Sequence, residues 1–258
     1  MDKKYFFFDI DGTLTNKETG KMVPSAKKTI QLLQENGHFV AIATGRAYYK
    51  TKDFAKNAGI HHIVSNGGAA LAINDMLIKN SPLDHDKAVS LCYEAQKAGF
   101  GILIADDDSI DVRMHDMRFI EQVGFRKEPT KYFLEKDKKF EDYKDIYKIY
   151  VSIPKDKENL LPSLNSLGHL RFIEEYLTFQ HDQKAQGIMD MMKSISGDIK
   201  DVVVFGDDTN DLIMFKDCWT NIAMGNACES LKEKATFVTR DNIDDGIQFA
   251  CRHFGWIK

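Results

Sequence analysis

The chain has 258 residues, of which 43% are hydrophobic and 29% charged, and this length and balance are those of a globular protein with a sizeable core. Its formal net charge of -4 excludes nucleic-acid binding through overall charge, so any anionic ligand requires a local positive site. The N-terminal apolar run is too short for a signal peptide or a membrane span, which predicts a cytoplasmic protein with neither a nucleic-acid nor a membrane partner.

The cysteines are widely scattered and contain no Cys-x-x-Cys pair, which argues against a disulfide framework or a zinc site. We expect free thiols of a reducing compartment at all four positions, which are Cys92, Cys218, Cys228 and Cys251.

The first part of the chain alternates short apolar runs with helix-compatible stretches. Strands are predicted at residues 5–8, 38–46 and 61–68, and helices at residues 24–37 and 47–58. Strands that alternate with helices through short links predict a parallel sheet with helices on both faces.

The rhythm changes after an apparent hairpin whose turn is at Asn74 and Asp75. A helix is predicted at residues 84–98, and apolar or alternating strands recur up to a long strand at residues 169–180. This mixture predicts a separate inserted α+β domain at residues 83–179, with residues 1–82 and 180–258 forming the core domain.

The strand–helix alternation returns in the last part of the chain. A helix is predicted at residues 184–194, a strand in DVVVFGDD, a helix from Leu212 and a further strand around WTNIAMG. The predicted fold class is therefore α/β, a doubly wound, mostly parallel core sheet with an inserted α+β domain.

Four short stretches with polar residues follow predicted strands or begin a helix of the α/β part. They are DIDGT (residues 9–13), ATGR (residues 43–46), Lys184 in HDQKAQG, and GDDTND (residues 206–211). Ligands of open parallel sheets bind in the crevice at the carboxyl ends of the strands, so we expect these stretches to meet there.

The residue types of these stretches suit metal-assisted phosphoryl transfer. Crowded carboxylates require a cation, and a set of oxygen ligands favours Mg²⁺. Lysine supplies a point charge for phosphate oxygens, and the threonine hydroxyl and the backbone N–H groups of Gly12, Thr13 and Gly45 supply donors. One aspartate can attack phosphorus, and a second carboxylate two residues on can exchange protons with the leaving group and with water.

In this order, the stretches resemble the four signature motifs of the haloacid dehalogenase superfamily. About 33 residues separate Asp11 from Thr44, whereas about 140 separate Thr44 from Lys184, and an insertion after the second motif is similar to that of the Cof-type phosphatases. SNGGA, AMGNA and DNIDDGI also resemble accessory patterns of that group.

The resemblance implies a role for each residue that matches a motif. It implies Asp9 as the nucleophile, Asp11 as the general acid and base, and an inserted domain that acts as a substrate-specificity cap. The other implied catalytic residues are Thr44 and Lys184. The implied Mg²⁺ ligands are Asp9, Asp11 through its backbone carbonyl, Asp207 and Asp211, although Asp211 could instead orient Lys184. The implied phosphate or substrate ligands are Gly12, Thr44, Gly45, Asn66, Lys184 and Asn210.

The expected function is Mg²⁺-dependent hydrolysis of a small phosphorylated metabolite, such as a sugar phosphate or a phosphorylated cofactor, through an aspartyl-phosphate on Asp9. A phosphomannomutase-like phosphotransferase is one alternative, because it shares the place of the insertion. A non-catalytic phosphometabolite-binding protein is another, although it would be expected to have lost one of the acids.

The sequence assigns no particular substrate, no oligomeric state and no role for Asp208 or His181. In and next to the inserted domain, exposure or packing explains the polar side chains more simply than substrate contact does, as for Arg113, His115, Tyr176 and His181.

Overall fold

The computed structural model describes residues 2–258, which divide into two compact units. The first unit consists of the residues up to Asn80 together with Gln183–Lys258, and the second is Ser81–Asp182. Each unit has its own β-sheet and its own clusters of buried apolar side chains. The boundaries predicted above for a core domain and a substrate-specificity cap, and the separate roles of the two domains, stay predictions.

The strands, in chain order, are β1 (Tyr5–Phe8), β2 (Phe39–Ala43), β3 (Ile63–Ser65), β4 (Ala70–Ile73), β5 (Met76–Asn80), β6 (Ile102–Ala105), β7 (Asp111–Met114), β8 (Lys131–Leu134), β9 (Lys148–Val151), β10 (His169–Ile173), β11 (Tyr176–Phe179), β12 (Val202–Gly206), β13 (Thr220–Ala223) and β14 (Phe237–Val238). The α-helices are α1 (Pro24–Glu35), α2 (Tyr48–Ala58), α3 (His85–Lys97), α4 (Arg118–Val123), α5 (Lys184–Ser194), α6 (Glu229–Lys232) and α7 (Gly246–His253).

The sheet of the first unit has eight strands in the order β14-β13-β12-β1-β2-β3-β4-β5. Neighbours from β14 to β3 are parallel, and β4 and β5 add an antiparallel hairpin at one edge. The strand β1 lies inside the sheet, between β12 and β2. The residues that follow β1, β2 and β12 therefore emerge at the same edge of the sheet.

The aromatic run of β1 is buried on both faces of this sheet. Phe6 and Phe8 belong to an apolar cluster that includes side chains of α1, α2 and α7, whereas Phe7 belongs to a second cluster with side chains of α5. Successive side chains of a strand point to opposite faces, so one strand anchors both layers of helices. The predicted doubly wound α/β core is confirmed.

The second unit has a six-stranded sheet in the order β10-β11-β9-β6-β7-β8, in which the pair β7 and β8 is parallel and the other pairs are antiparallel. Leu91 of α3 packs in a cluster with Ile104 of β6, and Phe119 of α4 packs in another with Leu103. This mixed architecture confirms the predicted α+β character of the insertion.

Two predicted elements are wrong in detail. Residues 169–180 form the hairpin β10–β11 rather than one strand, because a turn at Glu174 and Glu175 reverses the chain. The helix predicted from Leu212 is only a short 3₁₀ segment, Thr209–Met214. Its first turn is closed by Asp208, which accepts from the N–H of Thr209, and the backbone leaves helical geometry at Phe215.

The cysteines are free, as predicted, and Cys92 and Cys251 are buried. Within residues 2–258, the helices all fall short of the length and apolarity that crossing a membrane requires.

Candidate active site

Asp9 follows β1 directly and is fixed by the sheet. Its N–H donates to the carbonyl of Phe205 at 3.0 Å, which continues the pairing of β1 with β12 by one residue. Asp9 is only 4% exposed. A buried carboxylate is costly unless a cation lies beside it, so the neighbours of Asp9 determine what it can do.

The nearest cation is Lys184, the first residue of α5. Its Nζ donates to Asp9 Oδ1 at 2.9 Å and to Asp211 Oδ1 at 2.6 Å. The start of α5 is held by the SNGG loop after β3, because the N–H of Gln183 donates to the carbonyl of Gly67 at 2.7 Å. A Cβ atom at Gly68 would lie 2.2 Å from the carbonyl oxygen of Gln183, so the loop and the helix start touch through backbone.

Asp207 and Asp211 also lie close to Asp9, just beyond β12. Asp207 Oδ1 accepts from Thr13 Oγ1 at 3.1 Å. Asp211 Oδ2 accepts from the N–H groups of Asp207 and Asp208, at 2.9 and 3.2 Å, while its other oxygen binds Lys184. Asp211 therefore binds two groups at once: the backbone of the turn that contains Asp207, and the Lys184 ammonium that contacts Asp9.

These acids form a buried cluster with too little positive charge around it. Asp9, Asp207 and Asp211 each offer a carboxylate oxygen within 4.8 Å of the others, and Lys184 is the buried cation among them. Burial, with the charge of Asp211, raises the pKa of Asp9 well above its ordinary range, although Lys184 opposes this. Burial likewise raises the pKa of Asp207 to about 6, although Lys17 opposes it. An all-oxygen donor set with excess negative charge fits a hard dication such as Mg²⁺.

Lys184 is held as a cation by the same cluster. Burial alone lowers the pKa of a lysine, but the charges of Asp211 and Asp9 raise that of Lys184 well above its ordinary value. The ammonium is thus a fixed positive group beside the Asp9 carboxylate.

Asp11 takes part in a different interaction from Asp9, although the two are only two residues apart. Its carboxylate is more than half exposed and accepts from Arg46, with Nε at 2.9 Å from Oδ2 and Nη2 at 2.5 Å from Oδ1. Sequence reasoning missed this bidentate ion pair, although ATGR contained the signal, because arginine is the side chain whose geometry matches a carboxylate.

The remaining predicted ligands lie in neighbouring loops at this edge of the sheet. Thr44 is buried, and its Oγ1 accepts from the N–H of Arg46 at 3.2 Å, which closes the turn through Gly45. Asn66 is also buried, with a left-handed φ of 50°, and its N–H donates to the carbonyl of Arg46 at 2.7 Å. Asn210 lies in the 3₁₀ segment between Asp207 and the end of GDDTND.

Two asparagines that carried no predicted role hold the loop after β1. Asn226 Nδ2 donates to the carbonyl of Gly12 at 2.9 Å, and Asn242 Nδ2 donates to the carbonyl of Thr15 at 2.7 Å. The two are joined, because the N–H of Asn242 donates to Asn226 Oδ1 at 2.9 Å. The signals were AMGNA and DNIDDGI, whose function is thus to fix the loop that contains Asp11.

The polar side chains noted in the inserted domain have partners within the second unit. Arg113 binds Asp106 at 3.0 Å, and His181 Nε2 lies 3.1 Å from the carbonyl oxygen of Pro82. The ring of His115 stacks on Phe140, and Tyr176 is buried.

Comparison with known proteins places this chain among phosphatases. A profile of the haloacid dehalogenase-like hydrolase family matches residues 6–250. The chain is 31% identical over 262 residues to "Putative phosphatase YkrA" of Bacillus subtilis, and this similarity covers 100% of both chains. It is 25% identical over 278 residues to 5-amino-6-(5-phospho-D-ribitylamino)uracil phosphatase YwtE of the same organism, over 95% of this chain and 96% of that one.

A solved structure gives the same result at the level of the fold. A hypothetical protein of Geobacillus kaustophilus HTA426 superposes with a TM-score of 0.82 at 29% identity, over 99% of this chain and 100% of that one. The chain belongs to the haloacid dehalogenase-like hydrolase family. The predicted resemblance to its Cof-type members is confirmed, and so is the predicted enzyme class, a phosphatase.

Proposed function

We propose that the protein is a Mg²⁺-dependent phosphatase that hydrolyses a small phosphorylated metabolite through an aspartyl-phosphate on Asp9. The observation that carries the proposal is the buried cluster of Asp9, Asp207 and Asp211, with Lys184 at 2.9 Å from the Asp9 carboxylate. Asp9, the backbone carbonyl of Asp11 and Asp207 would hold Mg²⁺, supported by Asp211. When bound, the ion supplies positive charge for the oxygens of the transferring phosphoryl group.

The proposed chemistry has two steps. A carboxylate oxygen of Asp9 attacks phosphorus, the bond from phosphorus to the ester oxygen breaks, and the leaving oxygen takes a proton from Asp11. Asp11 then removes a proton from water, which attacks phosphorus and releases inorganic phosphate as the bond to Asp9 breaks. Because the Asp11 carboxylate accepts two hydrogen bonds from Arg46 in the structure, it must leave Arg46 before it can donate a proton.

The other motif residues are proposed to bind the phosphoryl group and the substrate. Lys184, Thr44 and Asn210 would contact phosphoryl oxygens, with backbone N–H groups at Gly12 and Gly45, and Asn66 would contact the substrate. The second unit would act as the cap that selects among substrates. Phosphorylated intermediates of the kind that YwtE is named for belong in the panel to be tested, with sugar phosphates, pyridoxal phosphate and flavin mononucleotide.

The first test uses an aryl phosphate and Asp9→Asn. We expect kcat to fall on the order of a thousandfold or more, because the amide is a poor nucleophile. Asp53→Asn, at an exposed position of α2, is the matched control and should keep full activity. EDTA should abolish turnover, and added Mg²⁺ should restore it. If the Asp9→Asn protein keeps most of its activity while folded, the nucleophile is assigned wrongly.

The products distinguish hydrolysis from the alternatives. With a hexose phosphate as substrate, release of inorganic phosphate indicates a phosphatase, whereas a phosphate that moves to another hydroxyl indicates a mutase. Tight Mg²⁺-dependent binding of a phosphate ester without any turnover would indicate a binding protein instead.

A further inference from the structure

Lys17 is an exposed lysine of the loop after β1 that reaches the buried acids. Its Nζ lies 2.7 Å from Asp207 Oδ2 and 3.3 Å from Asp208 Oδ2. The Asp207 side chain has no exposed surface, whereas that of Lys17 is 49% exposed. An exposed lysine normally gains little from an ion pair, but a partner without access to water gains much more from a cation at this distance.

The loop leaves room for this lysine at Gly12. A Cβ atom at Gly12 would lie 2.5 Å from Lys17 Cε and 2.2 Å from Asp207 Oδ2. Gly12 also has a φ of +84°, and Asn226 holds its carbonyl. Because Gly12 has no side chain, the end of the Lys17 side chain can pass beside it and reach Asp207.

We propose that Lys17 is a displaceable counter-cation of the metal site, which neutralises Asp207 when no metal is bound and must leave it when a divalent cation binds. The inference rests on the proposed function, since it requires Asp207 to be a metal ligand. A dication bound to Asp207 would lie close to the Lys17 ammonium, which is 2.7 Å from Asp207 Oδ2, and because like charges repel at such short range the two cations compete.

The charge of the cluster supports the competition. The buried carboxylates of Asp9, Asp207 and Asp211 face one buried ammonium, that of Lys184, and Lys17 supplies the second positive charge. A lysine side chain is ordinarily an ammonium at neutral pH, so Lys17 brings a positive charge to 2.7 Å from Asp207 Oδ2 and 3.3 Å from Asp208 Oδ2.

Asp208, the additional acid of GDDTND, provides the place to which the displaced ammonium moves. It is half exposed, already within 3.3 Å of Lys17 Nζ, and fixed by its bond to the N–H of Thr209 at 2.7 Å. Moving Lys17 from Asp207 to Asp208 requires only a shift of the flexible end of its side chain.

Lys17→Met tests the inference without relying on catalysis. Calorimetric titration of the metal-free protein with Mg²⁺ should show tighter binding by the variant, on the order of tenfold, in the usual range for two coupled sites. In the presence of EDTA, the midpoint temperature of thermal unfolding should be lower for the variant than for the wild type, because Asp207 has lost its counter-cation. In saturating Mg²⁺, this difference in midpoint should disappear or reverse. Lys21→Met, at an exposed position of the same loop, should change neither property.

A double-mutant cycle separates competition from a general charge effect. Asp208→Asn keeps a side chain that can cap the 3₁₀ segment, and it should weaken Mg²⁺ binding in the wild-type background. In the Lys17→Met background its effect should shrink, since no displaced ammonium remains. Lys17→Gln repeats the comparison should the methionine variant fold poorly.

The outcomes distinguish the two proposals. If the wild type binds no Mg²⁺, the metal site and the role of Lys17 are both wrong. If the wild type binds Mg²⁺ and the Lys17 variants bind it equally or more weakly, the displacement of Lys17 is wrong and the phosphatase proposal stands.

Discussion

Gly12 shows how closely a single residue is fitted into the acidic cluster. Its φ of +84° lies in the region that side chains disfavour, and a Cβ atom would meet the carboxylate of Asp207. Gly20, in the same loop, has a similar φ of +65°, but a Cβ atom there would have no other atom within 4 Å. The two glycines therefore separate the cost of backbone conformation from the cost of a clash.

We predict that Gly20→Ala lowers the free energy of unfolding by about 1 kcal/mol, the backbone cost alone. Gly12→Ala should lower it by about 3 kcal/mol or more, because Asp207 or the loop must also move. Urea denaturation in EDTA measures both values. Calorimetry should also show weaker Mg²⁺ binding for Gly12→Ala only. Equal losses of stability for the two variants would show that the space at Gly12 is unimportant.

At the residue scale, the sequence predicted which acids meet but not all that surrounds them. Asp9, Asp207 and Lys184 could be placed together because each follows a strand of one parallel sheet or begins a helix beside it. The pairs Arg46–Asp11 and Lys17–Asp207 could not, because they depend on the paths of loops and on side-chain conformations that spacing does not fix.

At the scale of elements, His38 joins three segments at the edge of the core opposite the acids. Its Nδ1 accepts from the N–H of Lys4 at 3.1 Å, next to β1, and its Nε2 lies 3.3 Å from the carbonyl oxygen of Trp256 near the C-terminus. The ring also packs edge-on against Phe6 at 5.4 Å. This arrangement requires a neutral ring with its proton on Nε2.

This joint should make stability depend on pH. Burial, with the charge of Lys4, lowers the pKa of His38 despite the bond to Trp256, so between the folded pKa and the ordinary value of 6.5 only the unfolded chain holds the proton. The contribution of His38 to the free energy of unfolding should therefore fall as the pH decreases below about 6.5. His38→Gln removes this contribution, and urea denaturation from about pH 7.5 to about pH 5 should show a shallower decrease for the variant. Other groups also contribute to the slope, because burial lowers the pKa of His62 and His115 and raises that of Asp9 and Asp207, so the test compares the slope of the variant with that of the wild type. Identical slopes would contradict the prediction.

Elements with a clear apolar pattern and clear ends are predicted well, and those governed by local polar contacts are not. The helix predicted at 184–194 matches α5 (Lys184–Ser194), and the hairpin turn is at Asn74 and Asp75, both with positive φ. The hairpin β10–β11 resembles one strand in the sequence because apolar residues flank Glu174 and Glu175 on both sides, and no glycine or proline there indicates a turn.

At the scale of the whole molecule, the first unit is continuous in space although the chain interrupts it. Asn80, its last residue before the interruption, accepts from Asn66 Nδ2 at 2.8 Å, and Gln183, its first residue afterwards, donates to the carbonyl of Gly67 at 2.7 Å. The two ends are thus attached to adjacent residues of one turn, and a short connection could replace residues 81–182.

We predict that a chain in which about four Gly-Ser residues replace 81–182 folds cooperatively, since about four residues span more than about 10 Å. It keeps both apolar clusters of the first unit and the acidic cluster, so calorimetry should show Mg²⁺ binding close to that of the intact chain. The separate segment 81–182 should also fold, because its own sheet and clusters lie within it. A core chain without a cooperative transition would show that the units depend on each other for stability.

The burial of β1 on both faces has a consequence for the energetics of the proposed reaction. Phe6, Phe7 and Phe8 are fully buried between apolar layers on the two faces, and this close packing restrains the backbone that carries Asp9 during the proposed phosphoryl transfer. The rearrangement that water would undergo around a free carboxylate is then already completed when the protein folds. If Asp9 is the nucleophile, as proposed, the stability of the fold rather than the substrate supplies the work of placing it.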